Sequence, residues 1–350
     1  MGEKLKVAVL GVGGIAGAHM PGWIASEDAE IVAGCDVNSE ILTKWGADHQ
    51  ISKLYEDVSQ VWLDDEIDVV DICTPNMYHA PLSIAALQAG KHVLCEKPLA
   101  PTPEEVLKMI EARDRSGKML MTAQSVRFTG NAISFKEEVD SGSLGNVYHA
   151  RCWALRRAGV PNRPGFIQKR HSGGGPCIDI GVHMLDLALW FMGNPQPLSV
   201  SGMAVSPLAK RDGAFSEWGR SVIPSEYDVE DFAAGFVRFN NGATLVLEMS
   251  WMLHHGDAQN GVWMYGDEGG GHWPSCTFYS ANNKTKQLYD KKLQLHSDGI
   301  GSHAEECIAF ARAIVNNEHS PVPAEESLQV TQILDGIYRS QEHGTEVSLG

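Results

Sequence analysis

The segment Leu5-Lys6-Val7-Ala8-Val9-Leu10-Gly11-Val12-Gly13-Gly14-Ile15-Ala16-Gly17 runs an apolar strand straight into a glycine-rich turn at the start of the chain. Read as G-x-G-x-x-A, the turn gives Gly11, Gly13 and Ala16, and each small residue answers a separate steric demand of wrapping a pyrophosphate. Gly11 permits the bend, Gly13 lets the backbone approach the phosphates, and Ala16 allows the next helix to pack closely on the strand. The first turn of that helix would offer unpaired N–H groups to the anion. Asp36, twenty residues past Ala16, ends a second apolar run, Ile31-Val32-Ala33-Gly34-Cys35, where a carboxylate can accept hydrogen bonds from ribose hydroxyls. The competing possibility, a glycine-rich turn that binds nothing, leaves this acid in register without a reason. The same carboxylate repels a 2′-phosphate, and Val37, Asn38 and Ser39 supply no cation to receive one, so NAD is favoured over NADP. Lys44 is a few residues further on.

At 350 residues the chain exceeds one ordinary core, so two domains are expected. A formal net charge of −16 disfavours nucleic acid and anionic membrane surfaces, both of which need a basic footprint. No stretch reaches the apolar length of a membrane span, and the N-terminus enters a strand without a signal-like segment, which points to a cytoplasmic protein. Seven scattered cysteines with no C-x-x-C spacing look like neither a disulfide set nor a zinc site.

From residue 5 to about 124, β-branched runs alternate with helix-like stretches, the pattern of parallel βαβ units covered on both faces. After Val7–Leu10 and Ile31–Cys35, the runs are Val69–Cys73, His92–Cys95 and Met119–Met121, which together predict a doubly wound parallel sheet over residues 1–125. Thr102-Pro103-Glu104-Glu105 reads as a capped helix start. Residues 126–350 change rhythm. Val147–Leu155, Asp231–Phe239 and Ala243–Trp251 read as strands, the last two joined by the hairpin signal Asn240-Asn241-Gly242. Helical patterns at Asp179–Phe191, Ala304–Val315 and Ala324–Arg339 make this half an α/β domain with a large open, mainly antiparallel sheet. Ser206–Ser225 has no periodicity and reads as a surface excursion.

Three further segments carry groups able to do chemistry: Cys73-Thr74-Pro75-Asn76-Met77-Tyr78-His79, Glu96-Lys97-Pro98, and Gly173-Gly174-Gly175 followed by Asp179-Ile180-Gly181-Val182-His183. The first two follow strands, so Thr74, Asn76, Glu96 and Lys97 share the carboxyl edge of the sheet with Gly13, where ligands collect. An ammonium at Lys97 could stabilise alkoxide-like charge as hydride leaves carbon. It could equally be a surface lysine paired with Glu96. Asp179 and His183 are spaced i, i+4, so a helix starting near Asp179 would put them on one face. Histidine suits a base near neutral pH, with Asp179 orienting the ring or a neighbouring hydroxyl; alternatively Asp179 is a helix cap over a core histidine. His254 and His255 adjoin on a strand end and face opposite ways, so no metal site is expected. Trp153 and one of Arg156 and Arg157 could meet the faces and hydroxyls of a sugar, although Trp153 is first of all an ordinary sheet residue.

The order of these motifs resembles the glucose-fructose oxidoreductase, inositol dehydrogenase and rhizopine catabolism (Gfo/Idh/MocA) family over nearly the whole chain. The resemblance rests on Gly11-Val12-Gly13-Gly14-Ile15-Ala16, Cys73-Thr74-Pro75-Asn76 with His79, Glu96-Lys97-Pro98, Arg127-Phe128, and Gly173 to Gly175 with Asp179, Gly181, His183 and Asp186. Val229–Ala233 and Phe239–Ala243 also match. It implies a Rossmann domain followed by an α/β domain whose open sheet forms the contact of a homo-oligomer, a dimer or tetramer. It further implies hydride transfer between nicotinamide and a secondary hydroxyl of a sugar, cyclitol, glycoside or anhydrosugar, with Lys97 and His183 catalytic and Asp179 positioning substrate. Gly14, Ile15, Pro75 and His79 would join the other cofactor-binding residues, and Arg127 the substrate-binding set of Trp153, Arg156, Asp179 and His183. Two alternatives remain at this stage. An NAD-dependent glycoside hydrolase acting by transient ring oxidation would need a second base, for which Tyr148 and His149 are the nearest guesses. A dinucleotide-responsive binding protein would have no need of Lys97 or His183.

Overall fold

The computed structural model describes residues 3–161, 163–218, 220–222 and 224–349. It resolves into two compact units. One takes the chain through Phe128 and then Asp298–Leu328; the other takes Thr129–Ser297 and the chain from Gln329 onward. The sequence boundary near residue 125 groups Asp298–Leu328 with the second half, whereas in the structure this segment packs into the first unit.

The first unit is built on six parallel strands, β1 (Leu5–Leu10), β2 (Ala29–Cys35), β3 (Lys53–Tyr55), β4 (Val69–Ile72), β5 (His92–Glu96) and β6 (Leu120–Ala123), in the order β3-β2-β1-β4-β5-β6. This is the doubly wound order whose switch point lies between β1 and β4. Successive residues of β1 go to opposite faces: Val7 packs with Trp23, Val69, Leu94 and Phe310, and Ala8 and Leu10 pack with Ile72, Val93 and Val106. Burial on both sides is why these strands read as unbroken apolar runs. The helix Pro103–Ser116 begins where the capping pattern predicts, with Thr102 Oγ1 accepting from the Glu105 N–H at 3.3 Å. β3 escaped the sequence reading because three residues at a sheet edge carry no apolar pattern.

The second unit carries a nine-stranded sheet. In chain order its strands are β7 (Val147–Leu155), β8 (Pro197–Val205), β11 (Phe232–Phe239), β12 (Thr244–Ser250), β13 (Gln259–Gly266), β14 (Gly270–Trp273), β15 (Thr277–Asn282), β16 (Gln287–Lys292) and β17 (Val347–Ser348), with the short pair β9 (Phe215–Ser216) and β10 (Arg220–Ser221) outside it. The hairpin at Asn240-Asn241-Gly242 joins β11 to β12 as expected, with Gly242 at φ +85°. All neighbours in the large sheet are antiparallel except β7 and β12. On one face Ala150, Cys152, Leu245, Leu247, Val262 and Met264 are fully buried, and the helices Gly130–Asp140 and Gly181–Phe191 cover it through Phe135 and Phe191, whose rings lie 4.6 Å apart.

The excursion at Ser206–Ser225 is more than a surface loop, although its residues 219 and 223 lie outside the described ones. Ala209, Ala214 and Val222 are buried with Tyr227, Val160, Ile167 and Trp251 in a small core of their own. Among the described residues, no helix is long and apolar enough to cross a membrane, and all seven cysteines are buried and free.

Candidate active site

At the end of β1, Gly11 sits at φ +81°, and a Cβ there would lie 2.8 Å from the Cys73 carbonyl oxygen, so glycine is required by the protein itself. Gly13 and Gly14 are different. Nothing lies within 4 Å of where their Cβ atoms would stand, so the bare backbone serves an incoming group. Gly13 caps the helix Gly14–Ala25 without a side-chain hydrogen bond, and no acid occupies its first turn, which leaves positive N–H ends facing the open space. Half-buried Asp36 accepts from the Val12 N–H at 3.1 Å and the Asn38 N–H at 2.9 Å, which shapes the turn while leaving acceptor capacity for ribose. The Thr74 hydroxyl after β4 is buried with no hydrogen-bond partner, a donor held for a ligand. These features fit a dinucleotide, with Gly11, Gly13, Gly14, Ile15, Asp36, Thr74, Pro75 and Asn76 on the turns that would hold it.

His79 joins two of these turns. It is buried, its ring nitrogens lying 2.7 Å from Pro98 O and 2.8 Å from Thr74 O, so it ties the turn after β4 to the turn after β5. Arg127 is also buried, its guanidinium paired with Glu326 at 2.5 Å in the same unit. The pair fixes the Arg127 guanidinium beside Glu326.

Lys97 is half-buried, and its backbone N–H donates to Glu96 Oε2 at 2.9 Å. Glu96 Oε1 meets His19 Nε2 at 3.0 Å, and His19 Nδ1 meets Asp71 at 3.0 Å. Asp71 also accepts from the Trp23 indole N–H at 2.7 Å. A neutral imidazole has one N–H, so a ring with carboxylates on both nitrogens is held as a cation. Burial works against that charge, but Asp71 and Cys73 outweigh it and keep His19 protonated well above its ordinary range. Burial likewise opposes the Glu96 charge, yet His19 and then Lys97 hold that carboxyl down at about 2. The Glu96 carboxylate is thus a fixed anchor for the Lys97 backbone. Glu306 completes the cluster, its Oε1 3.6 Å from His19 Nε2. The residue types around His19 are ones a metal could use, whereas the sequence reading weighed only the cysteine spacing and the pair His254 and His255. The signal that could have revealed the cluster is Asp71, an acid inside a fully buried strand that must have a partner.

In the second unit, the turn Gly173-Gly174-Gly175 is clamped by buried Glu230. Its carboxylate accepts from the Gly175 N–H at 2.9 Å, the Cys177 N–H at 3.0 Å and the Tyr338 hydroxyl at 2.9 Å. A Cβ on Gly175 would lie 2.2 Å from the Glu230 carbonyl oxygen, so the close approach demands glycine. The turn leads into a short helix, Pro176–Asp179, and then, through Ile180, into Gly181–Phe191. Asp179 therefore ends one helix and does not cap the next, because Ile180 occupies the capping position. Its carboxylate accepts from the Trp251 indole N–H at 3.3 Å and stands 4.0 Å from the Arg156 guanidinium. Arg156 and Asp179 line a pocket of about 490 Å³ with Val160, Phe166, Ser216 and Trp218. His183 is half-buried in the first turn of the second helix.

Trp153 does not line this pocket. It lies on the other face of β7, under the Arg151 guanidinium at 5.0 Å, in a row of rings that includes His272, Trp263 and Tyr265. His149 belongs to the same row, bonded to Thr244 Oγ1 at 2.8 Å and stacked on Tyr265; neither it nor Tyr148 lines the pocket. Trp218, which does, lies in a stretch whose sequence has no periodicity to reveal it.

Comparison with known proteins agrees with this geometry. Residues 5–124 match a family described as an oxidoreductase family with an NAD-binding Rossmann fold, and residues 133–271 match the GFO/IDH/MocA C-terminal domain. The chain is 33% identical to a D-glucoside 3-dehydrogenase of Escherichia coli K12, over 99% of this chain and 98% of the relative. It is 29% identical to a levoglucosan dehydrogenase of Pseudarthrobacter phenanthrenivorans, over 72% and 69%. A solved levoglucosan dehydrogenase in complex with NADH shares the fold at a TM-score of 0.83 and 24% identity, covering 99% of this chain and all of that one. With a phosphate-binding turn and ribose acid in one unit, a pocket at Asp179 in the other, and family matches across both, the chain belongs to the Gfo/Idh/MocA family of NAD-binding oxidoreductases.

Proposed function

We propose that the protein is an NAD-dependent dehydrogenase that oxidises a secondary ring hydroxyl of a sugar, cyclitol, glycoside or anhydrosugar to a ketone. The observation that carries this reading is the Asp179 carboxylate, steered by the Trp251 N–H and flanked by Arg156 in a pocket able to enclose a ring. Bound NAD supplies the hydride acceptor. His183 takes the proton of the reacting hydroxyl, the Lys97 ammonium donates a hydrogen bond to the same oxygen as charge develops on it, and Asp179 accepts from a neighbouring hydroxyl. Arg156 donates to further hydroxyls, and the Glu96 anchor keeps the Lys97 backbone in place. On this reading the unit of residues 1–128 and 298–328 binds the dinucleotide, and the unit of residues 129–297 and 329–350 binds substrate and carries the oligomer contact.

The relatives named for D-glucoside and levoglucosan oxidation support this substrate class. The open sheet face, with Trp263, Tyr265 and Met203, is the surface we assign to a homo-oligomeric dimer or tetramer contact, tested by light scattering of Trp263→Asp. Buried free thiols suit a reducing cytoplasm. The primary test follows reduced nicotinamide by absorbance with NAD and NADP against cyclitols, aldoses, glycosides and anhydrosugars. Lys97→Ala and His183→Ala are expected to lower kcat by about 10²–10⁴-fold. Undiminished oxidation in both variants would remove these residues from the mechanism.

A further inference from the structure

Chemistry at one hydroxyl requires only Asp179 and the groups beside it, yet at about 490 Å³ the pocket has room for more than the reacting ring. Its lining is mixed in kind. Asp179 has the Arg156 guanidinium 4.0 Å away, and the lining also carries Arg163 and two exposed aromatic side chains, Trp218 at 58% exposure and Phe166 at 36%. The Arg156 guanidinium also lies 5.0 Å from the centre of the Trp218 ring, so it covers one side of the indole.

The exposed indole is mounted on a built support. The Glu217 N–H donates to Ala158 O at 2.8 Å, the Ser216 hydroxyl donates to Val160 O at 2.9 Å, and the Trp218 N–H donates to Ser216 Oγ at 3.3 Å. Beneath them Ala209, Ala214 and Val222 pack against Val160, Tyr227 and Trp251, and Trp251 is the residue that donates to Asp179. The same small core therefore positions the carboxylate and the backbone that carries the indole. A large apolar ring on a pinned backbone, left in water beside a polar pocket, is suited to stacking a flat ring face.

We infer that Trp218 and Phe166 form a subsite for a ring attached to the reacting sugar through its glycosidic oxygen, so that a glycoside is preferred over a free sugar or cyclitol. This rests on the proposed oxidation beside Asp179. An aryl aglycone and a second pyranose both present the flat apolar face the subsite takes, and the two are separated by experiment.

The test measures kcat/KM with NAD for glucose, methyl β-glucoside, phenyl β-glucoside and a β-linked glucose disaccharide, in the unaltered protein, Trp218→Ala and Trp218→Phe. The unaltered protein should favour at least one ring-bearing glycoside over methyl glucoside by about tenfold, the equivalent of about 1.4 kcal/mol. Which of the two it favours identifies the aglycone. Trp218→Ala should erase that preference, with the loss carried in KM for the ring-bearing glycosides, and Trp218→Phe should retain most of it. Equal kcat/KM for all four sugars in the unaltered protein, or a uniform fall for all of them in Trp218→Ala, overturns the subsite while leaving the oxidation intact. If no sugar is oxidised, calorimetry on the NAD-loaded full chain decides separately: tighter phenyl than methyl glucoside binding, lost in Trp218→Ala, keeps the subsite and rejects the reaction, and equal binding rejects both.

Discussion

Two buried glutamates, Glu230 in the second unit and Glu306 beside His19 and the likewise buried Glu96 in the first, are treated in opposite ways. Glu230, 6% exposed, receives two backbone N–H groups and a tyrosine hydroxyl and so clamps the glycine turn that leads to Asp179. Glu306, fully buried, receives no hydrogen bond on either oxygen. Burial raises both carboxyls, but the donors around Glu230 pull it back, whereas Glu306, with Glu96 and Asp71 adding to the effect of burial and His19 opposing it, is driven well above its ordinary range. One works as an acceptor that organises backbone. The other works as a neutral acid filling space beside an imidazolium that Asp71 and Glu96 have already claimed. Placing an acid in a core therefore does not fix its role, which is set by the donors that reach it.

The sharpest way to test the contrast is to remove the shared cation. His19→Leu leaves Asp71 and Glu96 facing each other without a counter-charge, and breaking such a buried arrangement costs about 3–5 kcal/mol in urea denaturation. A loss below about 1 kcal/mol would mean that the ring carries no charge there. Next in size, Glu230→Gln replaces an acceptor of three donors with an amide that presents its own N–H groups, and should lower stability by about 2–3 kcal/mol. If Glu230→Gln proves as mild as Glu306→Gln, the distinction between the two acids collapses.

The pH dependence of stability gives a third test. His19 has a raised folded pKa, so its contribution is complete below about 6.5 and is lost as pH rises through the folded value. Glu306, also raised, stabilises the fold fully below about 4.5 and loses that contribution as pH climbs. Glu96, held down at about 2, acts at the other end: its contribution is present above 4.5 and lost as pH falls toward 2. Urea midpoints should therefore fall on both the acid and the alkaline side. The smallest effect is expected for Glu306→Gln, within about 0.5 kcal/mol of the parent at pH 5 and more stable than it at pH 9, with a flatter alkaline limb. An alkaline limb unchanged by this substitution would show that Glu306 is ionised in the fold.

What could be read in the sequence was what is local. The glycine turn, Asp36, the capped start at Thr102 and the hairpin at Asn240 to Gly242 each declare themselves within a few residues, because turn geometry and strand burial are local demands. Asp179 was legible as a site residue but not as the end of a separate short helix, since the break at Ile180 follows from the clamp that Glu230 closes from 55 positions away. Alternation along β7 and its extension already puts Trp153 and Arg156 on opposite faces, but only the folded sheet shows that one face carries stacked rings and that Arg156 lines a pocket wall. His19 shows how a long-range partner stays hidden: nothing near it in the chain announces Asp71, Glu96 or Glu306.

The return of Asp298–Leu328 to the first unit sets the order in which the protein can be completed during synthesis. Phe310 and Cys307 share a core with Val7 and Trp23, and Glu306 closes the pocket of charge around His19. A nascent chain that has emerged only through Phe128 thus has all six strands of its nucleotide-binding sheet but one uncovered face. At roughly 5–20 residues per second, the 200 residues from Thr129 to Leu328 take about 10–40 s to add. Throughout that interval Trp23 and the apolar side of β1 lack their cover, so the part of the molecule translated first is among the last to become native.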